Sequence, residues 1–365
     1  MSRSQPYFLG GCFLVFLMLF VGCSKKQSTE TDAPAGIAVE TESVPASLQQ
    51  QPSDLLANTS RAVCYSGYRS GQHPDRGDGA VNPTSDQIRE DLNLLADDAG
   101  FTLIRLYDSG ENSKAVLRAI ANNGLKIKVM LGIWLQAELS AHETCEWLNE
   151  PIPDETLQKN KQNNAEEIQR GIALANEFAD VVVAVNVGNE NLVDWNDHKV
   201  SDDSMMQYVK EVKGAIEQPV TVAENYKWWA QRGKKLAALV DFLAVHVYPV
   251  WEGRDIDDGM SYSIENLLEV REALPDARIV VSEAGWATEA SEFEDRAGQS
   301  QQRRYYNELM AWAEKNNVTT FFFEAFDEDW KGDPGNAQGA EKHWGLYTID
   351  RMPKQAMMES KPVEE

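Results

Sequence analysis

The chain has 365 residues, of which 42% are hydrophobic and ten are tryptophan. This length and composition are typical of a globular protein with a large core rather than of a disordered chain. Asp and Glu number 58 against 34 Lys and Arg, which gives a formal net charge of −24. Nucleic acids and anionic lipid surfaces would be repelled by that charge, so both are disfavoured as partners, whereas a neutral ligand is compatible with it.

The first 23 residues have the features of a bacterial lipoprotein signal peptide. Arg3 supplies a positive charge, residues 12–21 form an apolar run, and the small Gly22 precedes Cys23. This pattern predicts that the segment is removed and that Cys23 becomes a lipid-modified N-terminus, which would anchor the protein to a membrane. If the source has two membranes, Ser24 favours anchoring in the outer one. The protein would then belong to the bacterial cell envelope and be either periplasmic or surface-exposed. A plain signal peptide and a short uncleaved anchor are the alternatives.

Residues 24–60 are rich in Ser, Thr, Ala, Pro, Glu and Gln and have no sustained hydrophobic period. Such a composition predicts a flexible linker. Two cysteines, Cys64 and Cys145, follow the export segment. An exported location would permit a disulfide between them, but two free buried thiols are equally compatible with the sequence.

From residue 61 onward, short apolar runs alternate with amphipathic stretches. The predicted strands are residues 62–65, 103–107, 127–131, 181–187, 220–223, 242–247, 279–282 and 320–323. The predicted helices are residues 85–98, a stretch ending near 124, a long one through 168 and 178, and then 205–216, 229–239, 264–274 and 302–315. Eight apolar strands that alternate with helices indicate a parallel sheet covered by helices, and they predict a closed (β/α)8 TIM barrel.

This barrel is predicted to form a single domain over residues 61–355, followed by a C-terminal tail of residues 356–365. A doubly wound open sheet is the alternative architecture. It is disfavoured because no Gly-rich phosphate-binding motif follows the first strand.

Two glutamates stand where apolar strands of the predicted barrel end: Glu190 in VNVGNE and Glu283 in RIVVSEAGW. The C-terminal strand ends carry the active sites of (β/α)8 enzymes. If the two carboxylates lie about 5 to 5.5 Å apart, one can attack an anomeric carbon while the other protonates the leaving oxygen, as in retaining glycosidases. Structural carboxylates held by ion pairs are the alternative interpretation.

Further polar and aromatic residues at the strand ends are candidates for substrate binding, since flat aromatic faces can stack on pyranose rings. Buried His246 is interpreted as a supporting residue rather than a catalytic base. The candidates for substrate binding are Tyr65, Arg105, Tyr107, Asp108, Trp134, Asn189, Tyr248, Trp286, Glu328 and Trp330.

The segments around both glutamates resemble the two signatures of glycoside hydrolase family 17, a β-1,3-glucanase family of retaining (β/α)8 hydrolases. The resemblance covers most of residues 62–350 and includes Val187-Gly188-Asn189-Glu190, Val281 to Trp286, Val63 to Tyr65, Ile104 to Tyr107, Val247 to Pro249, Phe326 to Glu328 and Trp344 to Tyr347.

The resemblance implies that Glu190 is the general acid/base, that Glu283 is the nucleophile, and that Asn189 binds the sugar 2-hydroxyl. It also implies that three further polar residues orient the catalytic pair and the sugar. These are Glu328, Lys331 and Glu341.

The sequence predicts no metal or other cofactor, because its five histidines are scattered without zinc-ligand spacing. A serine hydrolase is disfavoured because no GxSxG turn occurs. The prediction is therefore a monomeric retaining hydrolase of β-1,3-glucan polysaccharide or oligosaccharides. A β-1,3-glucanosyltransferase with the same glutamates and a non-catalytic glucan-binding lipoprotein are the alternatives. The loop from Glu138 to Gln162 is expected to shape one end of the cleft, and the choice between endo and exo action stays open.

Overall fold

A computed structural model describes residues 47–75, 77 and 79–358. Eight strands close into a parallel barrel in the order β1 to β8, with β8 pairing β1, which confirms the predicted fold. The strands are β1 Arg61–Cys64, β2 Leu103–Arg105, β3 Lys128–Ile133, β4 Val182–Asn189, β5 Val220–Asn225, β6 Leu243–Val247, β7 Ile279–Ala284 and β8 Thr320–Phe322. The predicted signal peptide, including Cys23, lies outside the described residues.

Helices follow the strands and cover the barrel. They are α1 Ser85–Asn93, α2 Glu111–Asn123, α3 Asp154–Glu177, α4 Asp202–Lys213, α5 Tyr226–Arg232, α6 Lys234–Ala237, α7 Ile256–Ala273 and α8 Gln299–Asn316. Two predictions are corrected. The loop expected from Glu138 to Gln162 ends earlier, because α3 begins at Asp154, and the helix expected over residues 229–239 is two short helices that meet at Gly233.

Local sequence signals explain several helix ends. Thr84 accepts a hydrogen bond from the amide of Gln87, whose side chain accepts one from the amide of Thr84, so this pair forms a capping box at the start of α1. Gly124 ends α2 with a φ of 62°, a left-handed conformation that glycine adopts without steric cost. Ser201 caps the start of α4 through the amide of Ser204.

The core lies inside the barrel and between the barrel and its helices, and most strand residues are buried on both sides. Close packing sets the position of β3. A side chain at Gly132 would meet the backbone of Tyr107 at 2.4 Å, and one at Gly171 in α3 would meet Ile133 at 2.5 Å. Glycine at these two positions therefore lets α3 and the end of β2 approach β3.

The prediction of a linker up to residue 60 is wrong for its last part. Residues 47–60 are described and pack on the barrel, with Leu48 and Leu56 buried in the core. Gln50 donates to the carbonyl of Ile279 at 2.8 Å and accepts from its amide at 2.7 Å, so it holds this segment at the N-terminal end of β7. We call residues 47–58 the N-terminal strap. Residues 24–46 lie outside the described part of the chain.

The barrel domain also extends past its predicted end at residue 355. A short 3-10 turn, Gln355–Met357, follows, and Ala356 and Met357 pack against the core. Cys64 and Cys145 are free and buried, which decides between the two possibilities for the cysteines. Within the described residues, no helix combines the length and the apolar character that crossing a bilayer requires.

Candidate active site

The C-terminal ends of the strands open into one cleft of about 2270 Å³. Glu190 enters it directly after β4, with a φ of 51°, and Gly188 near the end of that strand has a φ of 75°. A left-handed conformation is costly for a non-glycine residue and is common at functional sites. The amide of Glu190 donates to the carbonyl of Ala223, and the amide of Leu192 donates to the buried carboxyl of Glu224, so β5 holds this segment in place.

Glu283 lies in β7 and is only 5% exposed. Its Oε1 accepts hydrogen bonds from Arg105 Nη1 at 2.7 Å and from the Tyr107 hydroxyl at 3.0 Å. Its Oε2 accepts one from the Tyr248 hydroxyl at 2.6 Å and lies 3.5 Å from His246 Nδ1. Each oxygen of this carboxylate therefore faces at least one hydrogen-bond donor.

These surroundings determine the charge of Glu283. Burial by itself raises its pKa, but the charge of His246 when protonated, the charge of Arg105 and the two tyrosine hydroxyls outweigh burial. The pKa of Glu283 therefore lies below its ordinary value, and the side chain is ionised at neutral pH. Burial raises the pKa of both tyrosines well above the usual value, so their hydroxyls stay protonated and donate.

His246 connects the two glutamates. Its Nδ1 lies 2.9 Å from Glu190 Oε1, and its Nε2 lies 3.2 Å from Arg105 Nη1. In the neutral form of His246, Nε2 accepts from Arg105, which can only donate, so the single ring proton lies on Nδ1 and points at Glu190. Glu190 Oε2 is then the oxygen left to exchange a proton with a substrate.

The distances to His246 limit the separation of the two glutamates. Oε1 of Glu190 and Oε2 of Glu283 lie 2.9 and 3.5 Å from the same nitrogen, so these oxygens are no more than 6.4 Å apart, the sum of the two. Inverting glycosidases hold their carboxyl groups about 6.5 to 9.5 Å apart to admit a water molecule, and retaining enzymes about 5 to 5.5 Å. The upper bound for this pair of oxygens lies below the inverting range and admits the retaining separation.

Arg105 also orients Asn189. Its Nη2 donates to Asn189 Oδ1 at 2.6 Å, which leaves the amide nitrogen of Asn189 to donate into the cleft. Arg105 is fully buried and lies behind the cleft surface. One guanidinium thus fixes both Glu283 and the asparagine next to Glu190, so its role is to position these residues rather than to contact substrate.

The structure brings most of the predicted substrate-binding residues into the cleft. Those that line it are Tyr107, Asp108, Trp134, Asn189, Tyr248, Trp330, Lys331 and Glu341. Burial raises the pKa of Asp108 and, separately, that of Glu341.

Tyr65 and Trp286 are corrected. Tyr65 is 1% exposed and donates to Asp91 beneath the cleft surface. The fully buried Trp286 donates its indole N–H to the carbonyl of Arg296 and packs beside Tyr305. Both side chains turn away from the cleft, so neither stacks on a sugar.

Glu328 also lies just behind the cleft surface. It accepts from the hydroxyl of Ser66 at 2.6 Å and pairs with Lys331 at 2.9 Å. Lys331 pairs in addition with Glu324 at 2.6 Å. Burial lowers the pKa of Lys331, but the two carboxylates more than compensate and raise it, so the ammonium is charged and already neutralised by its partners.

Other residues of the cleft were not singled out from the sequence. Trp147 and Trp195 are exposed on its wall, and His198 stacks on Trp134 with ring centroids 4.6 Å apart. These residues belong to loops without hydrophobic periodicity, so no sequence pattern indicated them. Within residues 47–75, 77 and 79–358, no group of three or more His, Cys, Asp or Glu side chains is placed to hold a metal ion.

A closed (β/α)8 barrel with two carboxylates this close at its mouth, one of them held ionised, defines the class of a retaining glycoside hydrolase. The BtgE/BtgC glycoside hydrolase domain matches residues 62–345, and the chain belongs to that family. The resemblance to glycoside hydrolase family 17 is thereby confirmed.

Individual relatives agree with this assignment. The chain is 28% identical over 300 residues to a glucan 1,3-beta-glucosidase of Arthroderma benhamiae, with 76% of this chain and 86% of the relative covered. An endo-laminarinase from Formosa Hel1_33_131 has a similar structure, with a TM-score of 0.70, 25% identity and 84% and 86% coverage. A family 17 β-1,3-glucanosyltransferase from Rhizomucor miehei shares the fold, with a TM-score of 0.62, 22% identity and 84% and 98% coverage.

Proposed function

We propose that the protein hydrolyses β-1,3-glucan with retention of configuration. The observation that carries this proposal is the pair Glu190 and Glu283, whose oxygens lie within 6.4 Å of each other through their 2.9 and 3.5 Å contacts to His246. The substrate class is supported by the names of the relatives, which include a glucan 1,3-beta-glucosidase and an endo-laminarinase.

The reaction would proceed in two displacements. The ionised carboxylate of Glu283 attacks the anomeric carbon while protonated Glu190 gives its proton to the glycosidic oxygen, so the bond to the leaving sugar breaks and a covalent glycosyl-enzyme forms. Glu190, now a carboxylate, then removes a proton from water, whose oxygen attacks the same carbon and releases Glu283. Two inversions give net retention.

The surroundings of the two glutamates support this division of roles. Glu283 faces Arg105 and two tyrosine hydroxyls, which favour the ionised form that a nucleophile needs. The side chain of Glu190 is 20% exposed to the cleft, where it can exchange a proton with a leaving group and later with water.

A neutral substrate is supported by the charge of the cleft. Among the described residues that line it, twelve are Asp or Glu and three are Lys or Arg. A uronic acid would require an available cation near the reacting sugar, but Lys331 is already paired with Glu324 and Glu328. The cleft therefore favours an uncharged glucan over an acidic polysaccharide.

A β-1,3-glucanosyltransferase is the second candidate. The large open cleft can hold an acceptor sugar as well as a donor, and the same two glutamates would serve both reactions. A non-catalytic glucan-binding lipoprotein is less well supported, because binding alone requires neither glutamate.

The location of the protein is also part of the proposal. The signal-peptide features of residues 1–23 and the cysteine at position 23 support a lipid-anchored protein in the bacterial cell envelope. Metabolic labelling with a radioactive fatty acid would test this, and a Cys23→Ser variant that incorporates as much label as the parent would contradict it.

Activity can be tested with the chain lacking residues 1–23 on linear laminari-oligosaccharides, following products by chromatography and the configuration of the first-formed sugar by NMR. We expect shorter β-configured products. Products longer than the substrate would instead establish the transferase, and α-configured first products or binding without turnover would contradict retaining hydrolysis.

A further inference from the structure

Two loops form one wall of the cleft beside Glu190. The first joins β3 to α3, and the second joins β4 to α4. The backbone amides of Glu138 and Leu139 both donate to the carbonyl of Lys199, at 2.9 and 3.0 Å. The hydroxyl of Thr144 donates to the carbonyl of Asp194. These hydrogen bonds tie the two loops together into a single surface.

Each loop presents a tryptophan on this wall. Trp147 is 58% exposed and Trp195 is 42% exposed, and both line the cleft. The hydrogen bond from His198 and, to a smaller extent, the nearby Trp147 side chain lower the pKa of the Asp197 carboxyl, so Trp147 lies close to Asp197 of the other loop. A ligand that covered these exposed indoles would gain the free energy of burying their apolar surface.

Polar side chains that can bind sugar hydroxyls line the same cleft as the two indoles. Gln136, Asn160 and Asn163 line this cleft, and Asn163 Nδ2 donates to Gln136 Oε1 at 2.9 Å. Flat apolar faces beside amides are the combination that binds a pyranose ring, whose C–H face packs on the aromatic ring while its hydroxyls take the hydrogen bonds.

We propose that Trp147 and Trp195 form an additional sugar-binding surface for units of a neutral β-glucan chain remote from the cleaved bond. This inference rests on the proposed function and adds a determinant of chain length to it. The occupant is the substrate chain itself, because the two indoles and the catalytic glutamates line one continuous cleft of about 2270 Å³. Chains long enough to reach the indoles gain binding energy that shorter chains lack.

The wall is also connected to the catalytic residues. The side chain of Asn196 donates to the carbonyl of Glu190 at 3.2 Å, and His198 Nε2 lies 2.8 Å from the carbonyl of Asn189. Loss of Trp195 could therefore disturb Glu190 instead of a sugar contact. A disturbed acid would slow turnover of every substrate equally, whereas a lost sugar contact affects only long chains.

The test uses Trp147→Ala, Trp195→Ala and the double variant in the full chain, with kcat/KM measured on laminari-oligosaccharides of increasing length. An aromatic contact contributes about 0.5–1.5 kcal/mol, so each variant should lose about two- to tenfold on long chains and nothing on the shortest substrate cleaved. Trp147→Phe should recover part of the loss. Leu139→Ala is the matched control, because Leu139 is 42% exposed in the same loop but does not line the cleft.

A double variant with the parent's dependence on length would overturn the inference, as would an equal loss at every length. The first result would be expected if the indoles instead meet a second copy of the chain or another protein. If the parent cleaves none of these substrates, the proposed function fails separately. Electrophoresis through gels containing laminarin then tests the inference without relying on cleavage. The inference requires that laminarin retards the parent and does not retard the double variant.

Discussion

The polar contacts at the two ends of strand β7 differ between the N-terminal and the C-terminal face of the barrel. At its start, the backbone of Ile279 is bound by the neutral amide of Gln50 from the N-terminal strap. Four residues later, Glu283 is buried with a charged arginine and faces the cleft. The first contact closes the core with no charge to desolvate, whereas the second keeps a charge buried because the chemistry requires it. Stability and catalysis therefore depend on opposite ends of one strand.

This comparison predicts its largest effect at Glu283. Replacing it with Gln keeps an oxygen for Arg105 but removes the nucleophile, so kcat should fall by at least about 10⁴-fold. The urea midpoint should fall, because the amide leaves the buried charge of Arg105 without its partner, but the variant should remain folded. An activity loss that is matched by loss of the folded state would mean that Glu283 is structural.

The second prediction concerns Glu190→Ala, which removes the acid/base but leaves the nucleophile. The rate should fall by about 10²- to 10⁴-fold, and less for an aryl glycoside whose leaving group needs no proton. Added azide should restore turnover and give a β-glycosyl azide, because it attacks the covalent intermediate in place of water. Rescue that gives the α-azide would assign the nucleophile to Glu190 and reverse the two roles.

A smaller effect is expected from Tyr248→Phe, which removes a hydroxyl that donates to Glu283 at 2.6 Å. This donor lowers the pKa of Glu283, so its loss raises that pKa. Because catalysis needs the ionised form, the acidic limb of the pH profile of kcat/KM should move to higher pH, and the maximum should fall about tenfold. Tyr305→Phe is the control, since Tyr305 is a buried tyrosine that bonds Ser263 away from the cleft. An unmoved acidic limb in the Tyr248 variant would contradict this account.

The smallest effect on activity, with a clear effect on stability, is expected from Gln50→Ala. The substitution leaves the amide and carbonyl of Ile279 buried without their partner, which should lower the free energy of unfolding by about 2–4 kcal/mol. Urea unfolding measures this loss, and kcat should equal that of the parent. Gln49→Ala tests an exposed neighbour in the same strap and should be neutral. A Gln50 variant as stable as the parent would mean that the strap does not contribute to closing the core.

The barrel and the catalytic pair could be predicted from the sequence because both depend on short local patterns. Apolar runs such as that of β4 indicate buried parallel strands, and a glutamate where such a run ends must emerge near the cleft. The direction of a side chain beyond that point is not encoded locally. Tyr65 and Trp286 follow strands as Tyr107 and Tyr248 do, yet they turn into the packing below the cleft.

The N-terminal strap and the exposed tryptophans of the cleft wall could not be predicted from the sequence, for a related physical reason. The strap is mostly polar, and it is held by two buried leucines and by Gln50, whose partner Ile279 lies 229 residues further along the chain. Trp147 and Trp195 belong to irregular loops whose shape depends on hydrogen bonds between them. Such long-range contacts leave no period in the sequence that would reveal them.

The two buried cysteines give the folded protein its own reporters of opening, one in the barrel and one in a loop of the cleft. Burial raises the pKa of Cys64 to about 12, and its thiol donates to the carbonyl of Ser282 beneath the nucleophile. Cys145 is equally shielded, at 2% exposure. A chain freed of residues 1–23 contains no other cysteine, so a thiol-specific alkylating reagent can react only with molecules that have opened. Alkylation at Cys64 in β1 would therefore measure how often the barrel opens, and alkylation at Cys145 how often the loop between β3 and α3 opens, without any added label.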